Sequence, residues 1–277
     1  MANDADVVIV GGGPCGLAVA VSAQRAGLRA LVIESSVVVS TIAAYPTYVR
    51  FFSTAEKLSI GGLPFVIATE KPTRRDALAY YRAVVTYFGV KLRQRERVTA
   101  IQGSSGEFTV VSRTAGGDES RTKAGAVVIA TGYFGSPNRL GVPGEELPHV
   151  THVYREGHEA FLQDVVVVGG GNSAAEAALD LWRSGARVTL VHFGPTFDKK
   201  IKPWVLPDFT NRVKEGQIAV KWESRVKTIE ARDVILIRGR QEERVKADRV
   251  YVMTGFAPSL DLVSVPSRSI MMRSTVN

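Results

Sequence analysis

The hydrophobic residues of this chain form two similar stretches, Asp6 to Glu34 and Asp164 to Phe193. Each opens with a continuous apolar run, continues through a glycine cluster into a stretch rich in alanine and leucine at helical spacing, and closes with a second apolar run. A continuous apolar run is typical of a strand buried on both faces of a parallel sheet. Each stretch therefore predicts a strand–helix–strand unit.

Shorter apolar segments follow each stretch in the same order. After the first they read RVTAIQ, EFTVVSR and AVVIATG, and after the second they read SRVKTIE, DVILIRG and RVYVMTG. Turn-forming GGDES and basic RGRQEER lie between these segments and are expected to connect strands. The repeated order predicts two α/β domains of similar construction.

Composition agrees with a soluble chain of about two domains, since its 277 residues are 45% hydrophobic. The first residues, MANDADVVIV, carry acids where a secretory signal would carry bases, so we expect a cytoplasmic protein without a membrane span. The net charge of +8 comes from scattered bases, which favours anionic small molecules over nucleic acid as partners. One cysteine and four histidines without ligand-like spacing predict no metal site.

Each unit carries a glycine turn between its first strand and its helix. The first turn reads GGGPCG and the second reads GGGNSA. Glycine at these positions lets main-chain amides approach a pyrophosphate closely, although a tight turn without a ligand is the alternative. The candidate cofactor-binding residues are Gly11, Gly13, Pro14 and Gly16 in the first turn, and Gly169, Gly171, Asn172, Ser173 and Ala174 in the second.

The two units differ in the residue that ends their second strand. Glu34 ends the first and is placed to accept hydrogen bonds from an adenosine ribose. His192 stands at the corresponding place in the second, where no carboxylate would repel a ribose 2′-phosphate. We therefore expect NADPH rather than NADH at the second turn, although the nearby lysines could equally form a solvated loop. The basic residues near in sequence are Arg187, Lys199, Lys200 and Lys202.

Longer motifs carry a resemblance to one family. ATGYFGSPN (Ala130 to Asn138) resembles the segment by which pyridine nucleotide-dependent flavoprotein reductases pass from the FAD domain to the NAD(P) domain, and MTGFAP (Met253 to Pro258) resembles the return. From about residue 6 to residue 260 the chain is similar to the YpdA-type bacillithiol disulfide reductases, a thioredoxin-reductase-like family without a CxxC motif. Its specific motifs here are YPTYVRFFSTAEKLSIGGLPF, KPTRRDALAYYR and IKPWVLPDF.

The resemblance implies an α/β architecture of two Rossmann-like dinucleotide-binding domains, each of the three-layer ββα type. Residues 1–140 would form the FAD-binding domain, completed by residues 256–277, and the NAD(P)H-binding domain of residues 141–255 would be inserted into it. The cofactors would be FAD and NADPH, with Thr131 and Gly132 adding to the FAD site. The substrate would be a low-molecular-weight thiol disulfide, and the protein a homodimer.

The sequence after Leu262, VSVPSRSIMMRSTVN, departs from the family. The family's chain returns there to supply a last strand and helix to the FAD domain, and neither is recognisable. We hypothesise a truncated or frame-shifted reading, which would weaken FAD retention.

The single cysteine, Cys15, lies inside the first glycine turn at the start of the predicted helix. The positive end of a helix dipole favours a thiolate there, whereas a bound pyrophosphate would oppose it. By its local motif alone, Cys15 could simply be a small residue that fits the turn. The resemblance points to it as the functional thiol, and a single cysteine would have to act through a mixed disulfide with the substrate.

An aromatic, glycine-containing segment from Tyr45 to Pro64 shows little helical period. We expect it to line a flavin or substrate pocket, with ordinary packing as the alternative. The helical segment DALAYYRAVVTYF follows two arginines, which could bind the carboxylates of an acidic thiol or could simply be solvated. The candidate substrate residues are Tyr48, Phe51, Phe52, Arg74 and Arg75.

The leading function is an NADPH-dependent flavoprotein reductase of a low-molecular-weight thiol disulfide. The alternatives are a flavin-dependent monooxygenase or NAD(P)H:acceptor oxidoreductase of the same fold, and a nucleotide-binding protein with impaired catalysis. The missing CxxC motif argues against an ordinary thioredoxin reductase, and the YPTYVRFFS and KPW segments favour the YpdA type over a monooxygenase.

Overall fold

The computed structural model describes residues 3–198, 201–258 and 262. The chain divides into two compact units. The first comprises the described residues of Met1–Ala43, Arg50–Gly135 and Pro258–Asn277, and the second comprises those of Ala44–Val49 and Ser136–Ala257. Among the described residues, no helix combines the length and the apolar character that crossing a membrane requires.

The first unit is built on one six-stranded sheet. Its elements are β1 (Ala5–Val10), α1 (Pro14–Arg25), β2 (Ala30–Ile33), α2 (Ser40–Ala43), α3 (Arg74–Tyr87), β3 (Leu92–Arg93), β4 (Glu96–Ser104), β5 (Glu107–Thr114) and β6 (Glu119–Ile129). The strand order is β3-β2-β1-β6-β5-β4. The first four strands in that order run parallel, and β5 and β4 continue the sheet as antiparallel strands.

The second unit repeats the plan with its strands in separate sheets. Its elements are β7 (Ser136–Pro137), β8 (Val150–Thr151), β9 (Asp164–Val168), α4 (Asn172–Arg183), β10 (Arg187–Val191), α5 (Leu206–Lys214), β11 (Ile218–Lys221), β12 (Arg225–Ile229), β13 (Asp233–Arg238), β14 (Gln241–Lys246), β15 (Arg249–Val252) and β16 (Phe256–Ala257). A parallel sheet has the order β11-β10-β9-β15-β8. Strands β12, β13 and β14 form an antiparallel sheet, and β7 pairs with β16.

The valine run of β9 shows why the second unit has three layers. Val165 and Val167 belong to the core that includes α4 and α5. Val166 and Val168, which point to the opposite face, pack into a core shared with β12 and β13. Because side chains alternate along a strand, a run buried on both faces needs a layer on each side. The predicted ββα layering is therefore present.

The expectation that RGRQEER only connects strands is wrong. The turn is confined to Gly239 and Arg240, and Gln241–Lys246 forms β14 in register with β13. This strand lies at the edge of its sheet and is largely exposed, so its sequence shows no apolar alternation. Two of its acids instead form ion pairs with lysines on strands that are not paired with it, Glu242 with Lys227 of β12 and Glu243 with Lys221 of β11.

The segment from Tyr45 to Pro64 is largely irregular, as its sequence predicts. One 3-10 turn spans Glu56–Leu58, and isolated bridges join Arg50 to Thr73 and Ile60 to Leu63. The predicted helix after the two arginines is α3, which begins at Arg74.

Candidate functional site

The first glycine turn joins β1 to α1, and two of its glycines are required by the backbone itself. Gly11 has a φ of +110°, and a Cβ there would lie 2.4 Å from the carbonyl oxygen of Ala130. A Cβ on Gly16 would lie 1.9 Å from the carbonyl oxygen of Gly11. Any larger residue at these positions would separate the helix from the strands that carry it.

Gly13, in contrast, leaves open space where a side chain would stand. A Cβ on Gly13 would meet nothing within 4 Å, and Gly13 caps α1 without a side-chain hydrogen bond. Pro14 is the first residue of the helix. Because the first amides of a helix have no intrahelical acceptor, this surface suits an anionic group such as a pyrophosphate.

The carboxylate of Glu34 is fixed beside the first turn. Glu34 is only 5% exposed. Its Oε2 accepts a 2.7 Å hydrogen bond from the backbone N–H of Gly12, and its Oε1 accepts one of 2.8 Å from that of Ser36. The hydroxyls of Ser35 and Ser40 also donate to Oε1, each at 3.4 Å. A carboxylate can accept about four hydrogen bonds, two at each oxygen, so the capacity that remains for a ribose hydroxyl is at Oε2.

Thr131 and Gly132 follow β6, whose end lies beside the first turn because β6 pairs with β1. The Cα of Thr131 would lie 3.2 Å from a Cβ on Gly11. Gly132 has a φ of +68°, a conformation that favours glycine. Both residues thus lie at the same end of the sheet as the first glycine turn.

Cys15 is the second residue of α1 and is exposed as a free thiol. It lies between the open position at Gly13 and the packed position at Gly16. The structure therefore brings a thiol, helix amides and a carboxylate to one edge of the first unit.

The predicted substrate residues fall into both units. Tyr48 is 79% exposed and belongs to Ala44–Val49 of the second unit, whereas Phe51, Phe52, Arg74 and Arg75 belong to the first. Arg74 begins α3 and donates from Nη2 to the carbonyl oxygen of Ala43 at 2.6 Å, and Arg75 beside it is exposed.

The second glycine turn joins β9 to α4 with the same close packing. Gly169 has a φ of +149°, and a Cβ there would lie 2.4 Å from the carbonyl oxygen of Met253 and 3.1 Å from the Cβ of Ala174. Gly171 caps α4 without a side-chain hydrogen bond. The side chain of Asn172 accepts a 2.7 Å hydrogen bond from the backbone N–H of Lys202. This turn also presents helix amides to an anion.

His192 stands beside the second turn as Glu34 stands beside the first. It follows β10, is 3% exposed, and lies so close to Gly170 that a Cβ there would be 2.1 Å from its Cε1. Its Nδ1 is buried and has no hydrogen-bond partner in the part of the chain that the structure describes. Its carbonyl oxygen accepts a 3.1 Å hydrogen bond from the N–H of Ser224.

A cavity of about 560 Å³ opens at the second turn, within the range of small-molecule sites. Its wall includes the predicted residues Gly169, Gly171, Asn172, Ser173 and His192. Ala174 is fully buried behind them. Lys199 and Lys200, also predicted for this site, lie outside the described residues.

Two charged residues at this cavity were missed by the sequence analysis. Asp198 lines it, with Oδ1 4.0 Å from Nε2 of His192. The expectation that no carboxylate lies near this site is therefore wrong. Arg225, the first residue of β12, lines it as well. Tertiary packing brings both residues to the cavity, and no local sequence pattern predicts this.

The expectation that Arg187 lies near the second turn is also wrong. Arg187 begins β10, and about 16 Å of strand separates it from His192 at the other end. It forms a two-pronged ion pair with Asp164, at 2.7 and 2.9 Å. Hydrogen bonding from Arg187 lowers the pKa of Asp164 below its usual value. The ion pair therefore lies at the end of the sheet opposite the second glycine turn.

The fold and its two glycine turns define the class: an oxidoreductase with two Rossmann-like dinucleotide-binding units. The chain belongs to the pyridine nucleotide-disulphide oxidoreductase family, whose model matches residues 8–273. It is 42% identical to the bacilliredoxin reductase Bdr of Bacillus subtilis over 252 residues, which is 91% of this chain and 76% of that protein.

Two solved structures share this fold closely. The bacillithiol disulfide reductase Bdr (YpdA) of Bacillus cereus superposes with a TM-score of 0.91 at 42% identity, covering 94% of this chain and 80% of that one. The corresponding protein of Staphylococcus aureus has a TM-score of 0.88 at 38% identity, covering 94% and 79%. These similarities confirm the predicted family, the fold class, the disulfide-reductase type of oxidoreductase and its use of FAD with NADPH.

Proposed function

We propose that this protein reduces the disulfide of a small acidic thiol, of the bacillithiol type, with Cys15 as the thiol that meets the substrate. The observation that carries the proposal is the exposed Cys15 within the first glycine turn, because the chain has no other cysteine. The names of the relatives support the substrate class, since two solved relatives are bacillithiol disulfide reductases.

In this proposal the first turn holds FAD. The open surface at Gly13 and the helix amides behind it would take the pyrophosphate, with Pro14 shaping the turn. Glu34 would bind the adenosine ribose, and Thr131 and Gly132 would border the cofactor. When bound, FAD supplies a two-electron relay between NADPH and a disulfide.

The second turn would hold NADPH. Gly169, Gly171 and the start of α4 present amides to its pyrophosphate, with Asn172 and Ser173 in the cavity wall. His192 lies at the position where a residue of this fold would contact the ribose of a bound dinucleotide. The roles of Lys199 and Lys200 toward the 2′-phosphate stay predictions.

Cys15 would act on the substrate in two balanced steps. Its thiolate attacks one sulfur of the disulfide and breaks the S–S bond, which forms a mixed disulfide and releases one thiolate that takes up a proton from solvent. Two electrons from NADPH and a proton then cleave the mixed disulfide, which regenerates the Cys15 thiolate and releases the second thiol. No second cysteine of the same chain takes part.

Cys15→Ala should separate the two halves of this reaction. We expect NADPH oxidation with ferricyanide to be retained, because the glycines of both cofactor turns are unchanged. Disulfide turnover should fall at least about 100-fold, because the attacking sulfur is gone. Both rates are measured on FAD-loaded protein. Disulfide turnover retained in the variant would contradict the role of Cys15.

The acceptor itself is tested anaerobically. FAD-loaded protein is reduced with NADPH and then mixed with bacillithiol disulfide, oxidised bacilliredoxin, oxidised glutathione or oxygen, while flavin absorbance is followed. We expect bacillithiol disulfide to reoxidise the flavin fastest. Fastest reoxidation by bacilliredoxin would point to a protein disulfide, and by oxygen to a monooxygenase or oxidase.

The guanidinium of Arg75 is proposed to bind a substrate carboxylate. It is exposed at the start of α3, and it is a cleaner test than Arg74, which holds the carbonyl of Ala43. Arg75→Ala should raise KM for an acidic disulfide about tenfold and leave KM for NADPH unchanged. Arg82→Ala, an exposed arginine further along the same helix, is the matched control. Equal effects at the two positions would refute the assignment.

The substrate is proposed to be bordered by Tyr48, Phe51 and Phe52. The working form is proposed to be a homodimer in the cytoplasm that does not bind nucleic acid. A single cysteine suits a reducing compartment. Light scattering of the purified protein tests the homodimer, and a monomer at micromolar concentration would exclude it.

A further inference from the structure

The cavity at the second glycine turn is lined by an arginine that contacts an aromatic ring. Arg225 directly follows Ser224, whose N–H is bonded to the carbonyl of His192. Its Cζ lies 4.9 Å from the centre of the Phe193 ring. Phe193 is 62% exposed and also lines the cavity. This cation–π contact therefore holds a guanidinium at the edge of the site.

Arg225 differs from most arginines of its unit in having no carboxylate partner among the described residues. Among the described residues, its guanidinium contacts the ring of Phe193. A contact with a ring supplies no carboxylate to the guanidinium, whose N–H groups match phosphate oxygens geometrically. The arginines of this unit that are ion-paired include Arg183, Arg187, Arg238, Arg244 and Arg249.

Arg225 lies at the part of the site where this fold distinguishes NADPH from NADH. His192 directly follows β10, at the position where an acid would bind both ribose hydroxyls and repel a phosphate. Its ring is buried and its Nδ1 is unpartnered within the described residues. Asp198 supplies a carboxylate 4.0 Å from this ring, but its side chain is 55% exposed, so solvent screens its charge.

We infer that Arg225 binds the ribose 2′-phosphate of NADPH and so sets the preference for NADPH over NADH, with Phe193 as the residue that positions it. The inference rests on the proposed function, in which this cavity holds the nicotinamide cofactor. It assigns the 2′-phosphate to an arginine of β12 and does not depend on the lysines after β10.

The test compares NADP⁺ and NAD⁺ binding to the full chain by titration calorimetry. The wild type should bind NADP⁺ more tightly. Arg225→Gln should weaken NADP⁺ binding about tenfold or more and leave NAD⁺ binding unchanged, because the lost contact is charge-assisted and belongs to the 2′-phosphate alone. The loss should shrink at high salt. Arg240→Gln, in the β13–β14 turn and outside the cavity, is the matched control and should change neither affinity.

A second variant tests the positioning role. Phe193→Leu keeps the charge of Arg225 and removes its support, so the ratio of NADP⁺ affinity to NAD⁺ affinity should fall, but by less than in Arg225→Gln. NADP⁺ preference that survives Arg225→Gln would overturn the inference alone. A wild type that binds neither nucleotide would overturn the proposed function, and the inference with it.

Discussion

Gly13 and Gly16 belong to the same turn, but a side chain at each would meet different surroundings. At Gly16 it would collide with the main chain of Gly11, whereas at Gly13 it would enter open space at the start of α1. Gly16 is therefore required by the packing of the fold, whereas Gly13 leaves open the surface that we propose binds the pyrophosphate.

Gly13→Ser should uncouple cofactor affinity from stability. Serine is a favourable N-cap residue, so the cofactor-free protein should unfold at the same urea concentration as the wild type or a slightly higher one. Its side chain would occupy the pyrophosphate surface, so FAD affinity should fall about 100-fold or more. Flavin fluorescence on titration with FAD measures the affinity.

Gly16→Ala is the contrasting substitution. It should lower the free energy of unfolding even without cofactor, by about 1–3 kcal/mol, because a Cβ 1.9 Å from a carbonyl oxygen forces the helix outwards. Urea unfolding of the cofactor-free protein measures this cost. An unchanged midpoint would show that the turn relaxes more easily than its packing suggests.

The sequence could predict the residues whose role follows from spacing along the chain. Gly11, Gly169 and Glu34 are of this kind, since motif and strand end lie close in sequence. Arg225 could not be found in this way, because it meets Phe193 only through the packing of β12 beside the parallel sheet. Arg187 was misplaced because nearness in sequence was read as nearness in space.

Among the elements, α3 shows how local chemistry fixes a helix start. Thr73 caps it, accepting a 3.2 Å hydrogen bond from the N–H of Asp76, while the carboxylate of Asp76 accepts bonds from the N–H and hydroxyl of Thr73 at 2.9 and 2.7 Å. These bonds, led by the one from the hydroxyl, lower the pKa of Asp76. The reciprocal pair places Arg74 and Arg75 in the first turn.

Thr73→Ala should cost about 1 kcal/mol of stability at pH 7. A lowered pKa in the folded state means that the stabilisation by Asp76 is present above the unfolded pKa, about 4, and is lost as pH falls through the lower folded value. The cost of the substitution should therefore shrink toward pH 3 in urea unfolding. Thr86→Ala, at the exposed other end of α3, is the control and should show no such pH dependence.

Strands buried on both faces could be predicted from their apolar runs, as β1 and β9 were. Strand β14 could not, because an exposed edge strand held by ion pairs has no apolar period for a sequence pattern to show. The loop that brings Asp198 to the second turn is likewise set by tertiary contacts, including the bond from its N–H to the carbonyl of Gly170.

At the scale of the whole molecule, each unit has hydrophobic cores of its own. Val8 of β1 is fully buried in a core of the first unit, and Val167 of β9 is fully buried in a core of the second. Each site is thus supported by the packing of its own unit.

Matched core variants test whether the two units unfold separately. Val8→Ala and Val167→Ala should each destabilise one unit by about 2 kcal/mol. In calorimetry, NADP⁺ at about 100 times its Kd should raise the free energy of unfolding of the second unit, which Val167→Ala destabilises, by roughly 2.7 kcal/mol. It should not change the transition of the first unit, which Val8→Ala destabilises. One transition shifted equally by both variants would contradict this independence.

The long strand β6 gives the first unit a property that the second lacks. Ala124 pairs with Ala5 in the parallel part of the sheet and with Phe108 in the antiparallel part, so one strand joins both. In the second unit, Ala247 and Asp248 separate β14 from β15. Amide hydrogens of β5 should therefore exchange with solvent only when the centre of the first sheet opens, whereas those of β13 can exchange while the strands around the second turn stay closed.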